Sequence, residues 1–292
     1  MLHMAGLYYR IGEKDMYPTI KLLGREISSY GLMTMIGMIV VFIAMGIRYK
    51  IIKKNYNAEA FLLAFCFMFS PLGAILLYQL TIMPTTLKYI KYLFTDFAVF
   101  KEHFSFGMVY YGGLFGLIAG AFVYAKVFKV DARDDFSETA VCIPLFHVFG
   151  RIGCFLAGCC YGMESEKLGV FFKNAVNVPH DIPYLPIQLY EAAGNFVIFL
   201  ILLFTQKYNR RKMSGLGKYF VIYGTMRFVL EFFRGDEVRG IWGPFSTSQW
   251  ISLILIPIGI YCFIAKDENN WFCKRLNRAK TVEEKNNPDA DE

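Results

Sequence analysis

Seven long apolar blocks, separated by polar segments, follow one another along the chain. They cover approximately residues 30–48, 59–83, 104–127, 139–160, 188–205, 216–233 and 247–264. Each is about 18–25 residues long, which lets a helix cross a hydrocarbon core of about 30 Å at about 1.5 Å per residue. Several blocks contain glycine or proline, which transmembrane helices tolerate. The pattern predicts an all-α integral membrane protein with seven transmembrane helices; a soluble helical bundle is the alternative.

The distribution of lysine and arginine predicts the orientation of these helices. Basic residues are concentrated after the first, third, fifth and seventh blocks, and basic loops remain cytoplasmic. We therefore expect the N-terminus outside and the C-terminus inside. The longest outer connection, residues 163–186, contains aromatic and β-branched pieces that could form a small extracytoplasmic cap. The predicted organisation is an N-terminal segment (1–29), a membrane domain (30–264) and a cytoplasmic tail (265–292).

Composition supports the membrane interpretation and excludes other classes. Of the 292 residues, 55% are hydrophobic and 19% are charged, whereas soluble domains carry about 25% charged residues. We assign the net charge of +7 to cytoplasmic flanks near anionic lipid head groups, and we expect no nucleic-acid partner. The chain has no nucleotide-binding motif, and its motifs imply no metal or soluble cofactor.

One group of polar residues lies in the fourth apolar block. Charged side chains at membrane depth cost about 2.5–3.5 kcal/mol on insertion scales and mark functional sites by default. On a helix, His147, Arg151 and Gly158 would share one face. The planar guanidinium of Arg151 suits phosphate oxygens. The alternative is an arginine neutralised by an internal carboxylate.

A second group lies in the sixth block, and its members follow a spacing of three to four residues: Tyr223, Arg227, Glu231 and Arg234. Glu231 can pair with the arginine four residues before it or three residues after it. One carboxylate cannot neutralise two guanidinium groups, so one arginine is left for an anionic ligand. The alternative for Arg234 is snorkelling to the membrane interface.

A third group, at the start of the fifth block, places Gln188, Glu191 and Asn195 on one helical face. Hydrogen-bonding side chains of this kind act as glue between membrane helices or take part in catalysis. Both interpretations remain open for this face.

The cysteines indicate less about function than the polar groups do. The chain has seven, without the C-x2-C pairs typical of zinc sites. On a continuous helix, Cys154 and Cys159 would lie about 140° apart, so they are not expected to converge. Small, buried packing residues are the favoured interpretation. The alternative is redox chemistry through an adjacent disulfide between Cys159 and Cys160.

These segments resemble, in the same order, the motifs of the prolipoprotein diacylglyceryl transferases, a family of bacterial membrane enzymes. The resemblance covers about 230 residues and implies the family's seven spans with the N-terminus outside. The similar segments are SSYGLM (28–33), YYGGLFG (110–116), GRIGCFLAG (150–158), PIQLYEA (186–192), YGTMRFVLEFFR (223–234) and STSQW (246–250).

The resemblance implies transfer of diacylglyceryl from phosphatidylglycerol to the thiol of a lipobox cysteine in prolipoproteins, at the bacterial plasma membrane. It implies that Arg151 and Arg234 hold the lipid phosphate and take part in catalysis. Further substrate-binding residues follow from the matched motifs: Tyr30, Gly112, Gly113, Cys154, Gln188, Tyr190, Glu191, Arg227 and Glu231.

Several positions depart from the family's pattern. Tyr111 replaces a histidine, Cys154 an asparagine, Cys159 an acidic residue, and Pro71 an arginine of the second span. His147 is our candidate for the lost base, since the unperturbed pKa of histidine is about 6.5. Tyr111 is expected to donate a hydrogen bond to phosphate instead. The departures leave two alternatives open: a different acceptor, or a lipid-binding protein without turnover.

Overall fold

The computed structural model describes residues 13–15, 17–22, 24–51, 57–89, 95–96, 110–128, 137–175, 178–206, 213–235 and 241–264. The predicted tail (265–292) lies outside them. The helices within these ranges are α1 (Ser29–Ile51), α2 (Asn57–Thr81), α3 (Met83–Tyr89), α4 (Tyr110–Phe128), α5 (Cys142–Ala157), α6 (Ile187–Thr205), α7 (Ser214–Leu230) and α8 (Thr247–Ile264). The strands are β1 (Glu13–Asp15), β2 (Thr19–Leu22), β3 (Arg25–Ser28), β4 (Val170–Lys173), β5 (Pro183–Tyr184), β6 (Ile241–Trp242) and β7 (Phe245–Ser246).

Every apolar block overlaps one long helix of the structure. Among the described residues, five stretches are long and apolar enough to cross a membrane: Ser29–Ile51, Asn57–Leu80, Ser137–Ala157, Ile187–Thr205 and Thr247–Ile264. Two other helices are not among these five. The apolar part of α4 covers only Phe115–Phe128, and α7 has only 17 residues, among them the buried Arg227. The apolar helices are those of a multi-pass membrane protein, while the number of seven spans and their orientation stay predictions.

Residues 1–51 and 136–292 form one compact unit, in which α1 packs on α5, α5 on α6, and α7 on α6 and α8. Glycines allow α1 and α5 to approach closely. A methyl group on Gly153 would lie 3.2 Å from the Tyr30 backbone, and one on Gly37 would lie 2.7 Å from the Cβ of Phe149. Tyr30 therefore lies directly against the helix that carries Arg151.

Residues 52–135 form the second unit, which is built mainly from α2 and α4. A methyl group on Gly112 would meet the carbonyl oxygen of Gly73, and one on Gly113 would lie 3.4 Å from the Ser70 hydroxyl. Close packing through small residues is typical of membrane helices. Gly112 and Gly113 thus have a packing role within this unit, and their contact with substrate stays a prediction.

Short strands form a small β cap on the first unit. In its three-stranded sheet, β1 runs parallel to β4, and β5 pairs antiparallel with β4. Phe172 of β4 and Tyr184 of β5 are buried, and Phe155 near the end of α5 packs against them. A cap within residues 163–186 was predicted, but β1 and the β2–β3 hairpin in the N-terminal segment were not.

Candidate functional site

Helix α5 ends three residues before the predicted end of its apolar block. Gly158 closes it in the left-handed conformation, with φ 72° and ψ 26°, which glycine adopts without steric cost. The next backbone N–H, that of Cys159, donates back to the Cys154 carbonyl at 3.1 Å. The expectation that Gly158 shares a helical face with His147 and Arg151 is therefore wrong, because the chain has left the helix.

Arg151 is ion-paired. Its Nη2 atom lies 2.9 Å from Oε1 of Glu191, whose side chain is 1% exposed, while the Arg151 side chain keeps 21% exposure. Arg151 therefore does contact an internal carboxylate, as the alternative interpretation expected. Glu191 is not its partner alone, because the other oxygen of Glu191 lies 3.1 Å from Nη1 of Arg227.

The network continues from Arg227 to the end of α7. Its Nη2 atom lies 2.6 Å from Glu231, and the same carboxylate lies 3.9 Å from Nη1 of Arg234. Glu231 therefore pairs on both sides. The Arg234 side chain is 9% exposed, so its guanidinium lies within the ion network, while the snorkelling alternative stays open. Within the described residues, this ion network joins three guanidinium groups through two carboxylates.

Backbone contacts hold Arg234 in position. Helix α7 ends at Leu230 and continues as a short 3-10 turn, after which Arg234 pairs with Gly162 in an isolated antiparallel bridge. The Met163 N–H donates to the Phe233 carbonyl at 2.8 Å. The end of α7 is thereby attached to the segment that follows Cys160.

The predicted polar face of α6 is confirmed. Gln188, Glu191 and Asn195 are 0%, 1% and 0% exposed. Gln188 donates from Nε2 to the Cys159 carbonyl at 2.7 Å, and Asn195 donates to the Glu191 carbonyl at 2.8 Å. Tyr190 lies on another face of the helix, 43% exposed, and its contact with substrate stays a prediction.

His147 lies one helical turn before Arg151, among polar and aromatic side chains. The Tyr219 hydroxyl is 3.4 Å from its Nδ1 atom, and the ring of Tyr223 lies 5.3 Å away between centroids. Asn195 also interacts with the imidazole through its side chain. The ring is therefore held beside the ion network.

Three thiols come together at the end of α5. The Sγ atoms of Cys154, Cys159 and Cys160 all lie within 4.8 Å of one another. The prediction that they do not converge is wrong, because it assumed a continuous helix. Cys159 is exposed, so the interpretation as buried packing also fails for this residue. All three are free cysteines, without the adjacent disulfide considered above.

Neighbouring groups favour the thiolate form of one of these residues. The pKa of Cys160 is lowered from its ordinary value, first because the Cys154 and Cys159 thiols share hydrogen bonds with it. The guanidinium groups of Arg234 and Arg151 act in the same direction. One thiol of the cluster therefore interacts electrostatically with Arg151 and Arg234, the two arginines expected to bind the lipid phosphate.

Sequence reasoning missed Ser248 as part of the network. Nη2 of Arg227 donates to its hydroxyl oxygen at 3.0 Å. At the start of the same helix, the Ser246 N–H donates to the Gln249 side chain at 2.9 Å. The signal was present in the segment STSQW (246–250), which resembles a family motif but from which no site residue was assigned. Among the other predicted residues, Tyr111 belongs to α4, but its side chain lies outside the described part.

Comparisons with known proteins found one matching family and several similar relatives. The family described as "Prolipoprotein diacylglyceryl transferase" matches residues 18–265. A phosphatidylglycerol–prolipoprotein diacylglyceryl transferase of Clostridium tetani is 33% identical over 246 residues, 83% of this chain and 94% of the relative. A second relative with this name, from Clostridium perfringens, is 30% identical over 83% of this chain and 92% of its own length. One from Campylobacter lari is 27% identical, with 82% and 90% covered.

Proposed function

The chain belongs to the prolipoprotein diacylglyceryl transferase family, and from this premise we propose that it transfers diacylglyceryl from phosphatidylglycerol to a prolipoprotein cysteine thiol. The relatives that support this proposal are named for the same donor and acceptor. We assign the reaction to the lipobox cysteine, as the first step of lipoprotein maturation at the bacterial plasma membrane. In keeping with the family resemblance, we take α1, α2 and α4–α8 as seven spans with the N-terminus outside.

The reaction forms a carbon–sulfur bond and breaks a carbon–oxygen bond. The acceptor thiol loses its proton, since the thiolate is the nucleophile, and its sulfur attacks the glyceryl carbon of the lipid. The carbon–oxygen bond breaks, and glycerol phosphate leaves with the electron pair on its phosphate oxygen. Fixed cations beside that oxygen stabilise the developing charge.

The observation that carries the proposal is the position of Arg151 in the ion network. The network links three arginines and two carboxylates, and all five side chains are at most 21% exposed. Arg151 is the most exposed of the five and gives one nitrogen to Glu191. Its remaining N–H groups, in the planar fork, suit phosphate oxygens. A phosphodiester bound there would accept charge-assisted hydrogen bonds from this guanidinium.

The other network residues position these arginines. Glu191 connects Arg151 with Arg227, and Glu231 connects Arg227 with Arg234. Replacing either carboxylate would leave buried cations facing each other. We therefore assign Glu191, Arg227 and Glu231 to the shape and charge of the phosphate site.

We assign the removal of the acceptor proton to His147, which lies one turn from Arg151 and contacts Tyr219. Neutral imidazole is a suitable proton acceptor near neutral pH. Tyr111 is assigned a hydrogen bond to phosphate. The remaining substrate contacts implied by the family resemblance, those of Tyr30, Gly112, Gly113, Cys154, Gln188 and Tyr190, are part of the same proposal.

The test measures transfer in phosphatidylglycerol membranes with a labelled glyceryl backbone and a lipobox peptide. Wild type, Arg151→Ala and His147→Ala are compared with Arg48→Ala, which changes another ion-paired arginine of the same unit. We expect label on the peptide cysteine with wild type and Arg48→Ala, and loss of label with Arg151→Ala. No transfer by folded wild type would contradict the proposal, and full transfer by His147→Ala would exclude this base.

A further inference from the structure

We propose that Cys154, Cys159 and Cys160 bind one thiophilic cation with a filled d shell, of the Zn²⁺ class, through three thiolates. The geometry of the three sulfurs is the first reason. They lie within 4.8 Å of one another. Zinc–sulfur bonds of about 2.3 Å in a tetrahedral site require sulfurs about 3.8 Å apart. The cluster therefore needs to contract by about 1 Å at most to hold such an ion.

The backbone that brings the thiols together is the second reason. Gly158 has φ 72°, and Cys160 has φ 61°, a conformation that residues other than glycine rarely adopt. The Cys159 peptide is held from both sides, because its N–H donates to the Cys154 carbonyl and its own carbonyl accepts from Gln188. Gln188 is fully buried. The thiols are thus positioned by a fixed turn.

The charge around the cluster is the third reason. Three thiolates and one divalent cation together carry one negative charge. Arg151 and Arg234 interact electrostatically with Cys160, so nearby cations would offset part of this negative charge. Thiolate ligands select soft cations over Mg²⁺ or Ca²⁺. A disulfide would use two of the sulfurs and leave the third without a role.

The exposure of the three cysteines indicates an open coordination position. Cys154 is buried, Cys160 is half-buried and Cys159 is exposed. Within the described part of the chain, no further histidine, cysteine or carboxylate joins the group. The cation would thus have three protein ligands and a fourth position on the side of Cys159. Three protein ligands with one open position is the arrangement of catalytic zinc sites.

The test uses the full chain in detergent with a reductant that does not bind metals. After chelator treatment, Zn²⁺ binding is measured by competition, and Co²⁺ serves as the spectroscopic probe through thiolate-to-cobalt charge-transfer absorption. We expect one equivalent of metal and this absorption in wild type. Cys159→Ser should weaken binding by more than the roughly 10- to 100-fold cost of losing an outer-shell partner. Cys159 is an exposed residue, so the variant is expected to fold.

Cys66→Ser is the matched control, because Cys66 is a free cysteine of α2 whose Sγ atom lies 3.8 Å from the Leu117 carbonyl. It should bind Zn²⁺ like wild type. Three outcomes would overturn the proposal: no bound metal with all thiols reduced, unchanged affinity in Cys159→Ser, or a disulfide within the cluster that persists under reductant. The readout is metal content, so failure of the transferase assay would not decide it.

Discussion

The first unit contains a half-buried ion pair near the end of α1 and an ion network around Glu191, and they differ in the number of arginines that share a carboxylate. Near the end of α1, Arg48 lies 3.2 Å from Glu138, whose carboxylate also accepts from Tyr49 at 3.3 Å and from Gln206 at 2.6 Å. That contact joins one cation to one anion and adds neutral donors. The network that begins at Arg151 joins three cations through two anions.

The difference separates a structural network from a ligand site. Both place charges where contact with water is reduced, which costs free energy unless the charges are paired. The Arg48–Glu138 contact joins one arginine to one carboxylate, so it can connect α1 with the residues just before α5 and just after α6 without a ligand. In the network around Glu191, Arg151 keeps 21% exposure and shares its carboxylate with Arg227, and charged groups at membrane depth mark functional sites by default.

The largest expected effect comes from Glu191→Gln. This change removes the carboxylate shared by Arg151 and Arg227 and leaves two buried cations without it. Breaking a buried pair costs about 3–5 kcal/mol, and we expect this loss in the free energy of unfolding, measured with denaturant in detergent micelles. A loss below about 1 kcal/mol, as for an exposed pair, would show that the network does not stabilise the fold.

The second effect concerns Arg151→Lys. Lysine keeps the charge but loses the planar fork, so phosphate and Glu191 can no longer be bound in the same way. We expect the transfer rate to fall about 100-fold, the cost of losing one donor to a developing oxyanion, with a smaller change in stability. A lysine variant with the wild-type rate would contradict phosphate binding by the fork.

A smaller effect is expected for Glu138→Gln, the counterpart of Glu191→Gln in the Arg48–Glu138 pair. Hydrogen bonds to a charged group contribute about 1.5–3 kcal/mol, and glutamine retains part of them. We expect a loss of about 1–2 kcal/mol in unfolding free energy and no change in transfer per folded molecule. If transfer fell while the protein stayed folded, the two networks would not be functionally distinct.

The smallest effect is expected for Arg48→Lys. The side chain is 14% exposed and lies beside a carboxylate that lysine can also reach. The change in unfolding free energy should stay below about 1 kcal/mol, and the transfer rate should equal that of wild type. Comparison with Arg151→Lys shows whether the planar guanidinium is required only at Arg151 or at Arg48 as well.

Much of the fold follows from local pattern. The apolar blocks predict the long helices because helix length and apolarity are local properties. The β2–β3 hairpin was not predicted, although its turn contains Gly24 with φ 77°. The β1–β4 pair joins Glu13 to Phe171 across more than 150 residues. No short-range pattern indicates such a pairing.

In the candidate site too, contacts within one helix were predictable from the sequence, and contacts between helices were not. The shared face of Gln188, Glu191 and Asn195 was predictable from helical spacing, and so was the pairing of Arg227 with Glu231 four residues away. The pairing of Arg151 with Glu191 was not, because it depends on how α5 packs on α6.

By itself, the sequence determined the membrane class, the helices and the residue types that suit a lipid phosphate. These follow from the hydrophobic effect and from helical periodicity, which act over a few turns. Only the tertiary structure decided that Glu191 joins two arginines and that three thiols meet after Gly158. Both depend on helix packing and on one left-handed residue, whose consequences extend beyond the local pattern.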